Sequence, residues 1–280
     1  MLRLGRKIAN LGIGYNVAGA LLFAVLGPGT PPALAQLRVF PAVEAFEYPL
    51  GGHRSSGVTG RLLSVRRPES DFGVEREADV SIGENVPLLG FGDRTAHLGL
   101  TIRVLGRFSL DDPKSALISN DWVVGLHAVA DRGPWRLVLE GYHESSHLGD
   151  EYAERFDVRR LDWTREVVSL WVRREVGALS FHLTGSVTAI DELALPRGAF
   201  GLGLDYRGGG GSIRPVLGVF TESVGYAGWK ATTTGRAGVE LGGPGGRMAV
   251  GLVFLNGLSP QRQFYDRLGR YYGFELRFDF

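Results

Sequence analysis

The chain contains no cysteine. That excludes disulfides, a thiolate metal site, a cysteine nucleophile and a lipid anchor on cysteine. Beyond its first 35 positions it has no apolar run of the ~18 residues that a membrane helix needs. Neither sign of charge is in excess: 31 Lys and Arg face 30 Asp and Glu. The basic residues are nearly all arginine and are scattered, so nothing makes an electrostatic case for nucleic acid. Mean hydropathy is close to zero, which still leaves a membrane barrel open, because barrel strands are only half apolar. A length of 280 residues allows one large domain or two small ones.

What is present begins with a secretory signal over residues 1–35. Arg3, Arg6 and Lys7 are basic, Val17 to Leu26 is apolar but too short to span a bilayer, and Ala33-Leu34-Ala35 has the small residues of a cleavage site. Residues 36–56 have no clear period, and Pro41, Pro49 and the Gly51-Gly52 pair suggest an irregular arm on the periplasmic side, placed to cap or plug a barrel. From 57 to 280 the period is two. At the end of the chain Tyr272, Phe274, Leu276, Phe278 and Phe280 alternate with Gly273, Glu275, Arg277 and Asp279, which gives one apolar and one small or charged face. Similar alternation recurs in segments around 78–82, 98–105, 122–128, 135–140, 168–173, 179–187, 200–206, 213–222, 231–241 and 248–254. With a weaker segment at Gly57–Arg66 the total is twelve.

Such a pattern predicts an all-β chain: a single antiparallel transmembrane barrel of about twelve strands, of outer-membrane type. The face opposite the apolar one is rich in Gly, Ser, Thr and charge, as a polar lumen would be. Connections also alternate between short (Asp131–Pro134, Val176–Ala178) and long (Ser146–Thr164, Asn256–Arg270). Short turns face the periplasm in bacterial barrels, so both termini are expected there. The last strand, ending at Phe280, resembles the signal read by the barrel-assembly machinery. Outer-membrane lipids and lipopolysaccharide are the expected surroundings, in a Gram-negative cell.

Gly141 to Tyr152 (GYHESSHLGDEY) is the densest set of reactive side chains. Continuing the outward parity of Trp135, Leu137 and Leu139 puts His143 and Ser145 on the lipid side, about 6.6–7 Å apart by Cα. A serine beside a histidine is the minimum for nucleophilic acyl chemistry. An orienting acid would come from Asp150, Glu151 or Glu166. The plainer alternative is a polar rim where the strand leaves the membrane. A metal site drawn from His143, His147, Asp150 and Glu151 would suit Zn²⁺ or Ca²⁺. The two histidines, however, are roughly 13 Å apart if the strand continues, so no metal and no resident cofactor is expected.

The inward parity collects Arg103, Arg107, Arg173, Arg214, Arg236 and Arg277 with Glu140, Glu144, Asp205, Glu222, Glu240 and Glu275. Either these pair to fill a narrow lumen, or they line a selective path for small anions or polar solutes. Long loops that bind surface partners are a third reading. Tyr142, Trp163, Tyr226, Trp229, Phe264, Tyr265, Tyr271 and Tyr272 cluster near the outward ends and read as an interfacial aromatic belt, with Trp122 and Trp135 near strand starts.

The His143-x-Ser145 pair resembles that of outer-membrane phospholipase A and of lipid A deacylase, although Ser146 stands where those enzymes usually have Asn. This resemblance implies an outer-leaflet acyl hydrolase, with Ca²⁺ as a possible requirement of that activity. More widely, the ordered motifs YPL (Tyr48–Leu50), DFGV (Asp71–Val74), GPW (Gly133–Trp135), YHESSHLGDEY and SPQRQFYDR (Ser259–Arg267) resemble the uncharacterised barrel family of domain-of-unknown-function 1207. That likeness implies a shared fold and a family-wide feature built from the last two motifs.

Overall fold

The structure, a computed structural model, describes residues 37–279 except 55, 74–75, 93–94 and 244–245. The expected signal at 1–35 and the terminal Phe280 lie outside the described residues. Two residues, β1 (Arg38–Val39), precede twelve long strands: β2 (Gly57–Arg67), β3 (Arg76–Phe91), β4 (Ala96–Ser109), β5 (Leu117–Arg132), β6 (Trp135–Leu148), β7 (Trp163–Val176), β8 (Leu179–Asp191), β9 (Gly198–Arg207), β10 (Ile213–Val224), β11 (Lys230–Gly243), β12 (Gly246–Leu258) and β13 (Leu268–Asp279). One short helix, α1 (Asp150–Phe156), sits between β6 and β7. Every neighbouring pair is antiparallel in chain order, and β13 pairs with β2, with Phe274 opposite Leu62 and Glu275 opposite Arg61. The result is a closed twelve-stranded antiparallel barrel.

Closure leaves no free edge, and the period of two then sorts the side chains. Leu62, Ile82, Leu202, Leu252 and Phe274 are each more than half exposed on the outer wall, whereas Arg103, Glu140 and Glu240 are fully buried inside. This is the reverse of a water-soluble core. A continuous apolar wall of this size would be unstable in water, and an apolar surround supplies the favourable term. No helix among the described residues is long and apolar enough to cross a membrane; the wall is built of the paired strands.

The weak first segment has a physical explanation. β2 turns Thr59 and Arg61 inward together with Leu63 and Val65, which pack on Val253, Leu255 and Tyr271. An inward face carrying both charge and aliphatic groups does not stand out in sequence.

The connections at 68–73, 110–116, 149–162, 192–197, 225–229 and 259–267 gather at one end, and the shorter turns lie at the other. Here the structure revises a boundary: Ser146 and His147 still belong to β6, so the loop after it is shorter than Ser146–Thr164. It also corrects the aromatic belt. Trp122, Trp135, Trp229 and Tyr272 do face outward, but Tyr142, Trp163, Phe264 and Tyr271 are buried inside the long-loop mouth. Their strand parity, or their place on an infolded loop, turns them to the lumen. Trp163, Tyr226 and Tyr265 form a ring cluster with centroids 5.3–5.8 Å apart.

The segment before β2 runs through the barrel. β1 pairs with the β3 end that leads into the short turn, and the chain then enters the lumen. Phe46 and Tyr48 pack on Trp171, the Tyr48 hydroxyl donates to Glu140, and the Leu50 amide donates to Asp205 Oδ2 at 2.9 Å. At Gly51 the arm lies directly on β10. A Cβ there would fall 2.5 Å from Val219 Cα, and one on Gly218 would fall 2.7 Å from Leu50 Cβ. Gly218→Ala is therefore expected to unseat residues 48–51, at an overpacking cost of about 1–3 kcal/mol. Faster tryptic cleavage after Arg54 and a shift in tryptophan emission would report it; cleavage at the wild-type rate would show that the close approach does not hold the arm.

Candidate functional site

Register places the outward-facing candidates. On β6, His143 lies opposite Glu166 of β7 and Val124 of β5, while Ser145 lies opposite Thr164 and Trp122. His143 Nδ1 is 2.8 Å from Glu166 Oε1, with the two side chains 38% and 44% exposed on the outer wall. The carboxylate accepts from Nδ1–H, which fixes the tautomer and leaves Nε2 as a basic nitrogen. Ser145 is the next outward residue and is half-buried. No hydrogen bond joins Ser145 to His143 among the described residues. Catalytic hydrogen bonds in ligand-free sites are often loose in this way.

Asp150 and Glu151, the other two candidate acids, lie in the first turn of α1, both exposed, and Asp150 is paired with Arg160. Of the three acids, it is Glu166 that the structure brings to His143. Among the described residues no group of three or more His, Asp or Glu could hold a metal ion.

All the lumen candidates point inward. Arg107 pairs with Glu77 at 2.7 Å and with Asp79 at 3.3 Å, and Arg61 bridges Asp79 and Glu275 at 3.1 and 2.7 Å. Arg236 shares Glu275 at 2.6 Å. His182 reaches Asp205 at 2.8 Å, and Arg173 reaches Glu44 and Glu175. Arg214 and Arg277 meet at Glu240. Arg103 lies 4.3 Å from the centroid of the Tyr48 ring, and Glu140 also accepts from Trp171 Nε1 at 3.3 Å. Sequence reading passed over Arg61, Glu77, Asp79, Arg207, Arg247 and Glu47. Assigning the faces of β2 would have found Arg61; nothing local marks Glu47, which lies on an arm without period.

Above the arm lies a chamber of about 90 Å³ lined by Tyr48, Arg54, Tyr142, Glu144, Trp171 and Arg262 among others. Glu222 faces the same chamber. Arg54 donates to the Tyr142 hydroxyl and to Glu144, each at 2.9 Å. From the long-loop side Arg262 reaches Glu144 at 3.1 Å and the Tyr226 hydroxyl at 3.1 Å. Gln263 donates to the Ser146 carbonyl at 2.8 Å. The Tyr152 hydroxyl donates to Asp71 Oδ2 at 2.6 Å, and Arg267 reaches Asp71 Oδ1 at 2.9 Å. Stretches far apart in sequence, around Asp71, Tyr152 and Arg262, thus close one mouth together.

Glu69 adds a titratable anchor to that closure. Its carboxylate accepts from the Ser259 hydroxyl. Burial pushes its carboxyl up to about 7, despite Arg107 and the Ser259 bond drawing it down. A carboxyl raised in the folded state stabilises fully below its unfolded value of about 4.5, and the contribution is lost as pH rises to about 7. Hydrogen exchange in residues 259–267 is therefore expected to accelerate between about pH 5 and 8 relative to a Glu69→Gln variant. Parallel rates in the two proteins across that range would contradict it.

The sequence comparison decides the family: residues 65–280 match the model of DUF1207, described as a protein of unknown function. The chain belongs to that family. No curated protein matches the DUF1207 chain in sequence. Among solved structures, outer membrane phospholipase A from Escherichia coli is similar to it, with a TM-score of 0.59 and 11% identity over 83% of this chain and 94% of that one. The Salmonella typhi outer membrane phospholipase dimer with bound calcium has a TM-score of 0.59 and 11% identity, covering 84% of this chain and 93% of that one. LpxR from Salmonella typhimurium covers 80% of this chain and 100% of its own, at 10% identity and a TM-score of 0.44. Identities this low show a shared fold for the two phospholipases, and the LpxR likeness supports no argument. The DUF1207 chain is an outer-membrane-type barrel.

Proposed function

We propose that this DUF1207 protein is an integral outer-membrane protein of Gram-negative cells and a serine-dependent acyl hydrolase of outer-leaflet lipid. Residues 1–35 are removed on export, and both termini lie in the periplasm. The barrel-assembly machinery reads the last strand ending at Phe280. The observation that carries the activity is the His143–Glu166 hydrogen bond at 2.8 Å on the outer wall, one outward position from Ser145. β6 ascends from the short turn at 133–134 towards the long loops. With short turns periplasmic, the pair meets the outer leaflet, where acyl esters of phospholipid or lipopolysaccharide are presented.

Glu166 holds the His143 ring with Nε2 towards Ser145. The histidine takes the Ser145 proton as the hydroxyl attacks the ester carbonyl, and then passes it to the departing alcohol. Water, deprotonated by the same nitrogen, releases the fatty acid and restores the serine. The shared fold with a phospholipase supports the reading. Ser145→Ala, purified and refolded into phospholipid or lipopolysaccharide vesicles, tests it through fatty-acid release; a rate equal to that of wild type would remove the proposal and leave a barrel without this chemistry.

A further inference from the structure

At the short-turn mouth four arginines of the wall gather: Arg207, Arg214, Arg247 and Arg277. Two wall carboxylates serve them among the described residues. Glu240 takes Arg214 and lies 3.6 Å from Arg277 and 3.9 Å from Arg207, while Asp279 lies 3.2 Å from Arg277 and 3.7 Å from Arg247. The third carboxylate in the group does not belong to the barrel. It is Glu47 of the arm, 2.8 Å from Arg207 Nη2 on one oxygen and paired with Arg247 on the other. A void of about 10 Å³, room for about one water, borders Glu47, Arg207, Arg277 and Asp279. Burial alone would raise the Glu47 carboxyl; Arg207 and Arg247 outweigh it and hold it at about 2. The cradle therefore favours an anion strongly enough to keep a mostly buried carboxylate ionised.

The arm that supplies this carboxylate has no regular structure between β1 and β2 and is anchored on both sides of Glu47: Arg136 donates to the Ala45 carbonyl, Asn85 to the Phe46 carbonyl, the Tyr48 hydroxyl to Glu140 and the Leu50 amide to Asp205. Arginine forks match two-oxygen anions, carboxylate and phosphate alike. We propose that the four-arginine cradle is a binding site for a small oxyanion, a carboxylate or a phosphate, which Glu47 occupies as an internal ligand. Anion binding and the seating of Glu47 then exclude one another, and each opposes the other by the same factor. The site stands independently of Ser145 and faces the other compartment.

Isothermal titration of the full chain in detergent micelles tests it, with inorganic phosphate in one arm and malonate in the other. Glu47→Gln frees the cradle and is expected to bind about tenfold or more tightly than wild type, because the competing conformer no longer fills the site. Adding Arg207→Gln should abolish that gain. In wild type, phosphate or malonate should shift tryptophan emission as Tyr48 leaves Trp171. Phosphate active alone would assign the site to phosphate, malonate alone to carboxylates. Equal affinity in wild type and Glu47→Gln, or no binding of either anion to folded protein, would overturn the proposal. Should Glu47→Gln fail to fold, a flat emission signal from wild type across both titrations would do the same.

Discussion

Ser145→Ala is expected to lower fatty-acid release by about 10³-fold or more, and His143→Ala by a similar factor, because nucleophile and base act as a unit. Glu166→Gln should fall between them and wild type, at roughly 10²-fold, since its part is to hold the ring in one tautomer. The geometry makes the order specific. Glu166 contacts His143 at 2.8 Å, whereas Asp150 is paired with Arg160 and exposed. Asp150→Asn and Glu151→Gln should leave turnover within about twofold, as exposed substitutions usually do. All five positions face outward or lie in the connection after β6, so folding of each variant can be checked independently by heat-modifiable migration. If Asp150→Asn abolished release while Glu166→Gln did not, the acid would be misassigned. If none of them mattered, the histidine–glutamate pair would be a polar rim.

Asp79→Ala should cost about 3–5 kcal/mol of barrel stability, the usual penalty for removing one partner from a buried ion network. Asp79 lies on β3, 2% exposed, between Arg61 of β2 and Arg107 of β4. Arg61 in turn reaches Glu275 of β13. The network thus straddles the seam where the first and last barrel strands meet, which is the most distant pairing in the chain and the one with the greatest closure entropy to overcome. Losing Asp79 leaves two buried guanidiniums with fewer carboxylates at the place where the barrel must shut. The midpoint of urea unfolding in vesicles reads the change, and a shift worth under about 1 kcal/mol would show that water or neighbouring carboxylates already compensate. Asp79→Asn, which keeps the size and some hydrogen bonds, should lose less.

The period of two was enough to read the wall. The residues that alternate in β4 to β13 point where their parity says, because a strand has only two faces and closure gives every strand the same inside. Parity also put His143 and Ser145 outward and Arg103, Glu140, Glu240 and Glu275 inward. It failed where that constraint lapses. β2 mixes aliphatic and charged residues on its inner face, the aromatics of the 259–267 loop fold back into the mouth, and residues 41–56 have no period to read.

The number of strands, their order and the faces of the residues that alternate in β4 to β13 were therefore decided by local alternation and turn spacing alone. Choice among partners was not. Whether His143 met Glu166, Asp150 or Glu151, whether Glu144 held Arg54 and Arg262 together, and whether the arm filled the lumen with Glu47 seated among arginines all depend on contacts between residues far apart in the chain. Side-chain reach across a closed cylinder is a property of three dimensions, and only the tertiary structure fixed it.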